Sequence, residues 1–273
     1  MIPLTDNNPT RRFPIVCVII IALNVLVFLY DQFHPVLIET LVRDPYGAAR
    51  VARDSMGELS FRYSLIPAYV TGMIEPGAPQ PLFPLALHPA WLTIFTSMFL
   101  HANWLHVGGN MLYVWIFGNN IEDALGKFRF ALFYLLCGVG AAMAHILSGP
   151  ASTIPTVGAS GAAAGLMGAY ILLYPSARVL SLVPIFGIIS TLIEVPAVLV
   201  IGYWFLLQVI NVQWLGGGEM LQRGGGVAYV AHIGGFAAGA LLILLFGGRK
   251  LLPPPGPPGF DDPYSDRHPS REE

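Results

Sequence analysis

A serine hydroxyl is a poor nucleophile until a base takes its proton, and histidine is the usual base near neutral pH. Ser160 stands in the turn Gly158-Ala159-Ser160-Gly161, and His232 lies in the stretch Ala231-His232-Ile233-Gly234-Gly235-Phe236. His106 and Asn110 are spaced i,i+4, which puts them on one face of a helix. Both can donate hydrogen bonds, as a site for a developing oxyanion requires. The backbone N–H of Ser160, at a helix N-terminus, is a third donor. Together these residue types suit acyl transfer by a Ser–His pair.

The elements that must position them are apolar. Hydrophobic residues make up 55% of the 273 residues and charged residues only 11%, against about 25% charge in soluble domains. That surface calls for lipid as solvent. The net charge of −2 gives no reason to expect a nucleic-acid partner. A spanning helix takes about 20 apolar residues, and six segments fit or nearly fit: 14–33, 103–121, 128–148, 160–174, 194–214 and 227–247. The fourth is short, bracketed by Gly158 and Gly161 before and Pro175 after. At about 1.5 Å per residue it measures about 22 Å, less than the hydrocarbon thickness of about 30 Å. With Pro175, Ser176 and Arg178 holding one end at the interface, Ser160 must start within the membrane. Non-helical backbone at that depth needs protein or a water-filled cavity around it.

Helices two, four and six cross in the same direction, so His101, His106, Asn110, Ser160 and His232 cluster in one leaflet. Polar groups there normally face a bundle interior or cavity. Gly161, Gly165 and Gly168 on the fourth helix, and Gly235 and Gly239 on the sixth, make small-residue faces that allow close packing. Each feature also has a structural reading: the serine and the glycines as packing residues, the histidines and Asn110 as interior hydrogen-bonders. His145 and His88 are read as structural. No HExxH and no mid-helix aspartate is present, which argues against zinc and paired-aspartate proteases. Ligation of a metal by His101, His106 and His232 is a minor reading, and neither metal nor cofactor is expected. A small transporter would show symmetry between its halves, and none is found.

The domain plan is a cytoplasmic N-terminus at 1–13, a six-helix domain at 14–247 with a long extracytoplasmic loop at about 34–102, and a disordered Pro-rich cytoplasmic tail at 248–273. Short helices at the membrane surface are expected in the loop. Lys and Arg favour cytoplasmic termini: Arg11, Arg12, Lys127, Arg129, Arg178, Arg249, Lys250, Arg267 and Arg271 inside against Arg43, Arg50, Arg53, Arg62 and Arg223 outside. The N-terminus does not read as a cleaved signal peptide. Cys17 and Cys137 read as core fillers. Glu122 and Asp123 are expected in a helix-end network with Lys127 and Arg129, and Glu194 as a cap on the fifth helix. Trp204 reads as a packing residue, and the outer end of the fifth helix, with Gln208, Asn211 and Gln213, as a candidate gate.

At these residues the chain resembles the rhomboid intramembrane serine proteases. The resemblance rests on His101-Ala102-Asn103-Trp104-Leu105-His106-Val107-Gly108-Gly109-Asn110, on Gly118-Asn119-Asn120-Ile121-Glu122-Asp123-Ala124-Leu125-Gly126, and on the two stretches around Ser160 and His232. Their order follows the family across residues 14–247. The resemblance implies an all-α, six-transmembrane-helix bundle with a short fourth helix starting mid-membrane. It implies Ser160 as nucleophile, His232 as general base, and His106, Asn110 and the Ser160 N–H as oxyanion hole. It also implies cleavage in or beside the transmembrane segments of membrane-protein substrates, and a multi-pass place in the bilayer, here the inner membrane of a bacterium. An inactive rhomboid-like protein that binds transmembrane helices is the alternative; such relatives usually lack the Ser or the His. Many members carry an aromatic residue one turn after the serine, stacked on the histidine. Here that position is Ala164, so another group must hold the ring. The Trp-Arg pair often found in the first long loop has no clear counterpart, Trp91-Leu92 being nearest.

Overall fold

The computed structural model describes residues 1–43, 49–74, 89–185, 189–214 and 229–252. His88, Arg223, and the tail from 253 on, with Arg267 and Arg271, lie outside these residues.

Among the described residues six long helices form the bundle. After strand β1 (Ile2–Asp6), helix α1 runs over Ile15–Phe33, with no acidic residue in its first turn. Its exposed N-terminal N–H groups are instead capped from another helix: Glu122 accepts from the N–H of Val16 at 3.0 Å and of Cys17 at 2.7 Å. The loop that follows holds strands β2 (Pro35–Arg43) and β3 (Ala49–Gly57) and three short helices, α2 (Glu58–Tyr63), α3 (Pro67–Thr71) and α4 (Thr93–Thr96). Then come α5 (Trp104–Leu125) and α6 (Lys127–Ser148). Asn103 caps α5 by accepting from the His106 N–H at 2.9 Å. Helix α7 spans Ser160–Leu173. The hairpin β4 (Arg178–Ile185) and β5 (Ile189–Pro196) leads into α8 (Ala197–Trp214), and α9 (Tyr229–Leu245) closes the bundle.

Helix α7 is the axis. Gly161 through Tyr170 are buried without a break, the pattern of a helix enclosed on all sides. It packs most extensively on α9, and α9 next on α6, among the described elements. Glycine makes that contact possible. A Cβ on Gly239 would collide with the Gly165 carbonyl, and one on Gly235 with the Gly161 carbonyl. Phe117 of α5 meets Tyr170 of α7 edge-on, with centroids 5.0 Å apart, and both are fully buried.

The outward faces carry many large apolar side chains. Leu26 is 62% exposed, Phe128 82%, Leu147 73%, Leu199 60% and Leu245 82%, far more than a water-facing surface normally carries in one belt. By length and hydropathy together, α1 and α6 are each sufficient to cross a membrane. The other four fall short on one count or the other.

The six helices sit within a few residues of the ranges predicted from the apolar runs. Two small antiparallel sheets outside the bundle were not foreseen. One is the β2–β3 hairpin, next to the expected short helices of the long loop. The other has the order β1-β4-β5, joining the N-terminus to the segment between α7 and α8. Glu194 accordingly sits on β5 opposite Leu180, its Oε2 3.5 Å from Arg178 Nε, and does not cap α8. Asp123 pairs with Arg11 at 2.8 Å. The charges at this end of α5 are thus taken up by the N-terminal segment, in place of the expected network with Lys127 and Arg129.

Candidate active site

The chain descends to Ser160 through residues 149–159. Several bonds to the long loop hold this descent. Leu65 and Thr156 exchange backbone hydrogen bonds at 3.0 and 2.8 Å, Ala68 N–H donates to Ser152 O at 2.9 Å, and Thr71 Oγ1 donates to Pro150 O at 2.8 Å. His145 near the end of α6 meets Thr156 Oγ1 at 2.9 Å, a structural role that matches the sequence reading. Gly158 then turns the chain into α7 with φ of +130° and donates its N–H to Ser97 O at 2.9 Å. A side chain is excluded there on two counts. That φ disfavours any Cβ, and the Cβ would lie 2.7 Å from His106 Nε2.

Ser160 and His232 meet. His232 Nε2 lies 2.7 Å from Ser160 Oγ, the reach a general base requires. The α7–α9 glycine contact sets this distance, because it fixes the spacing of the two helices a turn away from both side chains. Ser160 is half-buried and His232 is 8% exposed.

Both residues line a cavity of about 600 Å³ together with His106, Asn110, Gly158 and Met98. Asn110 is held in place by His101: its Nδ2 lies 2.9 Å from His101 Nε2. That bond uses one of the two amide hydrogens and leaves the other free. His106 Nδ1 receives the Ala102 N–H over a long 3.5 Å. Nε2 is then the protonated nitrogen, and it is the atom that faces Gly158. Among the described residues no group of three or more His, Cys, Asp and Glu side chains converges to hold a metal ion.

Two further residues reach His232 from α8. Gln208 Oε1 lies 2.8 Å from His232 Nδ1. The Trp204 ring lies 5.6 Å from the imidazole, tilted by 39°. They fill the role left open by Ala164, which is fully buried in the α7 interface. Sequence reading assigns Gln208 to a gate and Trp204 to packing, and gives His101 a place in the polar cluster and the minor metal reading, not support of Asn110. The i,i+4 spacing of Trp204 and Gln208, on the same face of a helix next in order to α9, was the one available signal.

The comparisons agree with this architecture. The model of the Rhomboid domain matches residues 88–249, more than half of the chain. Rhomboid-like protein 11, chloroplastic, of Arabidopsis thaliana is 44% identical over 78 residues, 29% of this chain and 28% of the relative. Rhomboid protein 1, mitochondrial, of Saccharomyces cerevisiae is 31% identical over 154 residues, 55% of this chain and 40% of the relative. Rhomboid protease GluP of Bacillus subtilis is 31% identical over 121 residues, 44% and 22% of the two chains. The match spans less than half the length of each of these relatives.

Proposed function

The chain belongs to the rhomboid family of integral membrane proteins, and on that premise we propose that it is a serine endopeptidase that cuts peptide bonds in or next to the transmembrane segments of membrane-protein substrates. The observation that carries the reading is the 2.7 Å approach of His232 Nε2 to Ser160 Oγ at the wall of a cavity that also holds His106 and Asn110.

In the proposed reaction Ser160 Oγ gives its proton to His232 Nε2 as Oγ bonds to the scissile carbonyl carbon. The carbonyl π electrons move onto oxygen. The free N–H of Asn110, His106 Nε2–H and the Ser160 backbone N–H stabilise that oxyanion. When the C–N bond breaks, the proton on Nε2 goes to the departing amine. Water, deprotonated by the same nitrogen, then releases the acyl group from Ser160. No carboxylate takes part.

Six membrane crossings, with α7 starting below the surface, both termini in the cytoplasm and the protein in a bacterial inner membrane, complete the reading. The Lys and Arg distribution supports that orientation, and the exposed apolar belt supports the crossings. Residues 1–13, 14–247 and 248–273 are taken as N-terminal segment, catalytic domain and tail.

A fluorophosphonate probe tests the reading. The chain in proteoliposomes should be labelled, and a transmembrane helper substrate cleaved. Ser160→Ala should lose both. Labelling that persists in Ser160→Ala would remove Ser160 as the nucleophile. A helix-binding relative without catalysis would show neither labelling nor cleavage.

A further inference from the structure

A serine–histidine pair works only if the correct imidazole nitrogen is free. The neutral ring carries one proton, and it must sit on Nδ1 for Nε2 to accept from Ser160. In triads a buried carboxylate sets that choice. In this protein the neighbour of Nδ1 is a neutral amide.

The orientation of that amide is decided by its other bond. Gln208 Nε2 donates to the carbonyl of Trp204, one turn back on α8, at 3.1 Å. With the nitrogen engaged there, the side chain must turn its oxygen to His232, and Oε1 lies 2.8 Å from Nδ1. An amide oxygen only accepts, so His232 Nδ1 must donate. The Nδ1–H tautomer follows, and it leaves Nε2 unprotonated at 2.7 Å from Ser160 Oγ. Gln208 is itself buried, at 6% exposure, so water cannot readily replace it. The Trp204 carbonyl, the Gln208 amide, the His232 ring and the Ser160 hydroxyl thus form one directed chain of hydrogen bonds. Trp204 enters twice, by its carbonyl and by its ring against the imidazole.

We infer that Gln208 is a positioning residue that fixes the tautomer and ring orientation of His232, making the catalytic unit a Ser160–His232–Gln208 relay without a buried charge. The inference rests on the protease reading for its consequence, while its geometry stands independently. The amide suits its place. An ionised carboxylate in an apolar bundle is costly to bury, and an amide provides the same acceptor without that charge. The difference is that an amide orients the ring but lends the imidazolium little electrostatic support.

Two measurements test it. In the first, full-length wild type, Gln208→Leu and Gln208→Glu are compared in proteoliposomes on a transmembrane substrate. Gln208→Leu keeps approximate volume and removes the acceptor. Its kcat should fall about 10- to 100-fold with KM little changed, less than the loss of an entire general base, about 10²- to 10⁴-fold. Gln208→Glu restores an acceptor for Nδ1–H and should recover activity. Its carboxylate should also move the acid limb of the pH–rate profile to higher pH, because a nearby negative charge favours the imidazolium. His106 of α5 and His145 of α6 line the same cavity and are common to all three proteins, so the displacement reports the substitution at 208. A Gln208→Leu kcat within twofold of wild type, or a Gln208→Glu profile that overlies that of wild type, would overturn the inference.

The second measurement does not require activity. In ¹⁵N-histidine-labelled protein the His232 signals, assigned by their loss in His232→Ala, should show a protonated Nδ1 in wild type and a shift towards protonated Nε2 in Gln208→Leu. A wild-type ring protonated on Nε2, or a tautomer unchanged in Gln208→Leu, would defeat the inference. If wild type neither cleaves nor labels, the protease reading fails while the tautomer still decides the role of Gln208.

Discussion

At the Ser160 end of α7 the buried polar groups face a cavity; at the Tyr170 end they face one another. Tyr170 Oη donates to Asp6 Oδ2 at 2.5 Å, Asn120 Nδ2 donates to the same oxygen at 2.8 Å, and Tyr174 Oη donates to Asn120 O at 3.2 Å. Arg11 and Asp123 close the cluster. Both ends bury hydroxyls, amides and an ionisable group, so residue type alone does not separate them. What separates them is access to open space. The Tyr170 end bonds its side chains mainly to one another, with Asp123 Oδ1 left over, and β1 docks over it through β4. The Ser160 end keeps an Asn110 N–H, His106 Nε2 and the serine hydroxyl on an open wall. A buried polar cluster that is left partly unpaired, next to space a substrate can fill, is the mark of chemistry rather than of architecture.

The comparison can be broken most severely at the serine. Ser160→Ala and His232→Ala should each lower kcat by at least about a thousandfold while the thermal midpoint in detergent stays close to wild type. Next come the unpaired donors. Asn110→Ala and His106→Ala should each lower kcat about 10²- to 10³-fold, measured by substrate cleavage under saturating conditions. A smaller effect is expected at the glycine contact that joins the two ends. Gly239→Ala must push α9 off the Gly165 carbonyl. It should destabilise by about 1–3 kcal/mol and weaken cleavage as the dyad opens. Gly202→Ala on α8, with nothing within 4 Å of the added carbon, should be neutral or slightly stabilising. Equal unfolding midpoints for these two variants would contradict the packing argument.

The smallest effect belongs to Asp6, and it concerns pH. Burial outweighs the hydrogen bonds to this carboxyl and raises its pKa from 3.8 to about 6. A folded-state pKa above the unfolded value means that the folded protein binds the proton more tightly. Stability should therefore fall as pH rises from about 4 to about 6 and level off above. Asp6→Asn should flatten that window in a melting series and raise the midpoint at pH 7.5, with cleavage by Ser160 at that pH hardly altered. Loss of cleavage on this substitution would show that the two ends are coupled.

Much of the Ser160 end was legible because its signals are local or repeat along one helix. Pro175 and the glycines around Ser160 mark the short helix, i,i+4 spacing pairs His106 with Asn110, and small-residue steps predict the α7–α9 contact. Residues whose role depends on a distant partner were harder to read. Val-Leu-Ser-Leu-Val in 179–183 becomes strand through pairing with 2–6, far away in the chain, and strand preference of this kind depends on neighbours. Glu122 shows the same limit. Nothing near it in sequence says that it caps α1. Gln208 sits among apolar residues of α8, its i,i+4 spacing from Trp204 says only that the two share a face, and the rotation of α8 against α9 shows that it meets His232.

The enclosure of α7 has a consequence for how the protein is made. A helix of 14 residues buried from Gly161 to Tyr170 offers the translocation machinery neither the length nor the lipid-facing side of an independent insertion unit. It can settle only among helices already in place. Its main packing partner, α9, is synthesised after every other helix of the bundle and brings His232 with it. Until the chain has been made through Leu245, the serine has no base. On the proposed protease reading, the order of synthesis thus keeps the nascent protein inert beside the membrane proteins being inserted around it, and competence to cleave arrives only with α9.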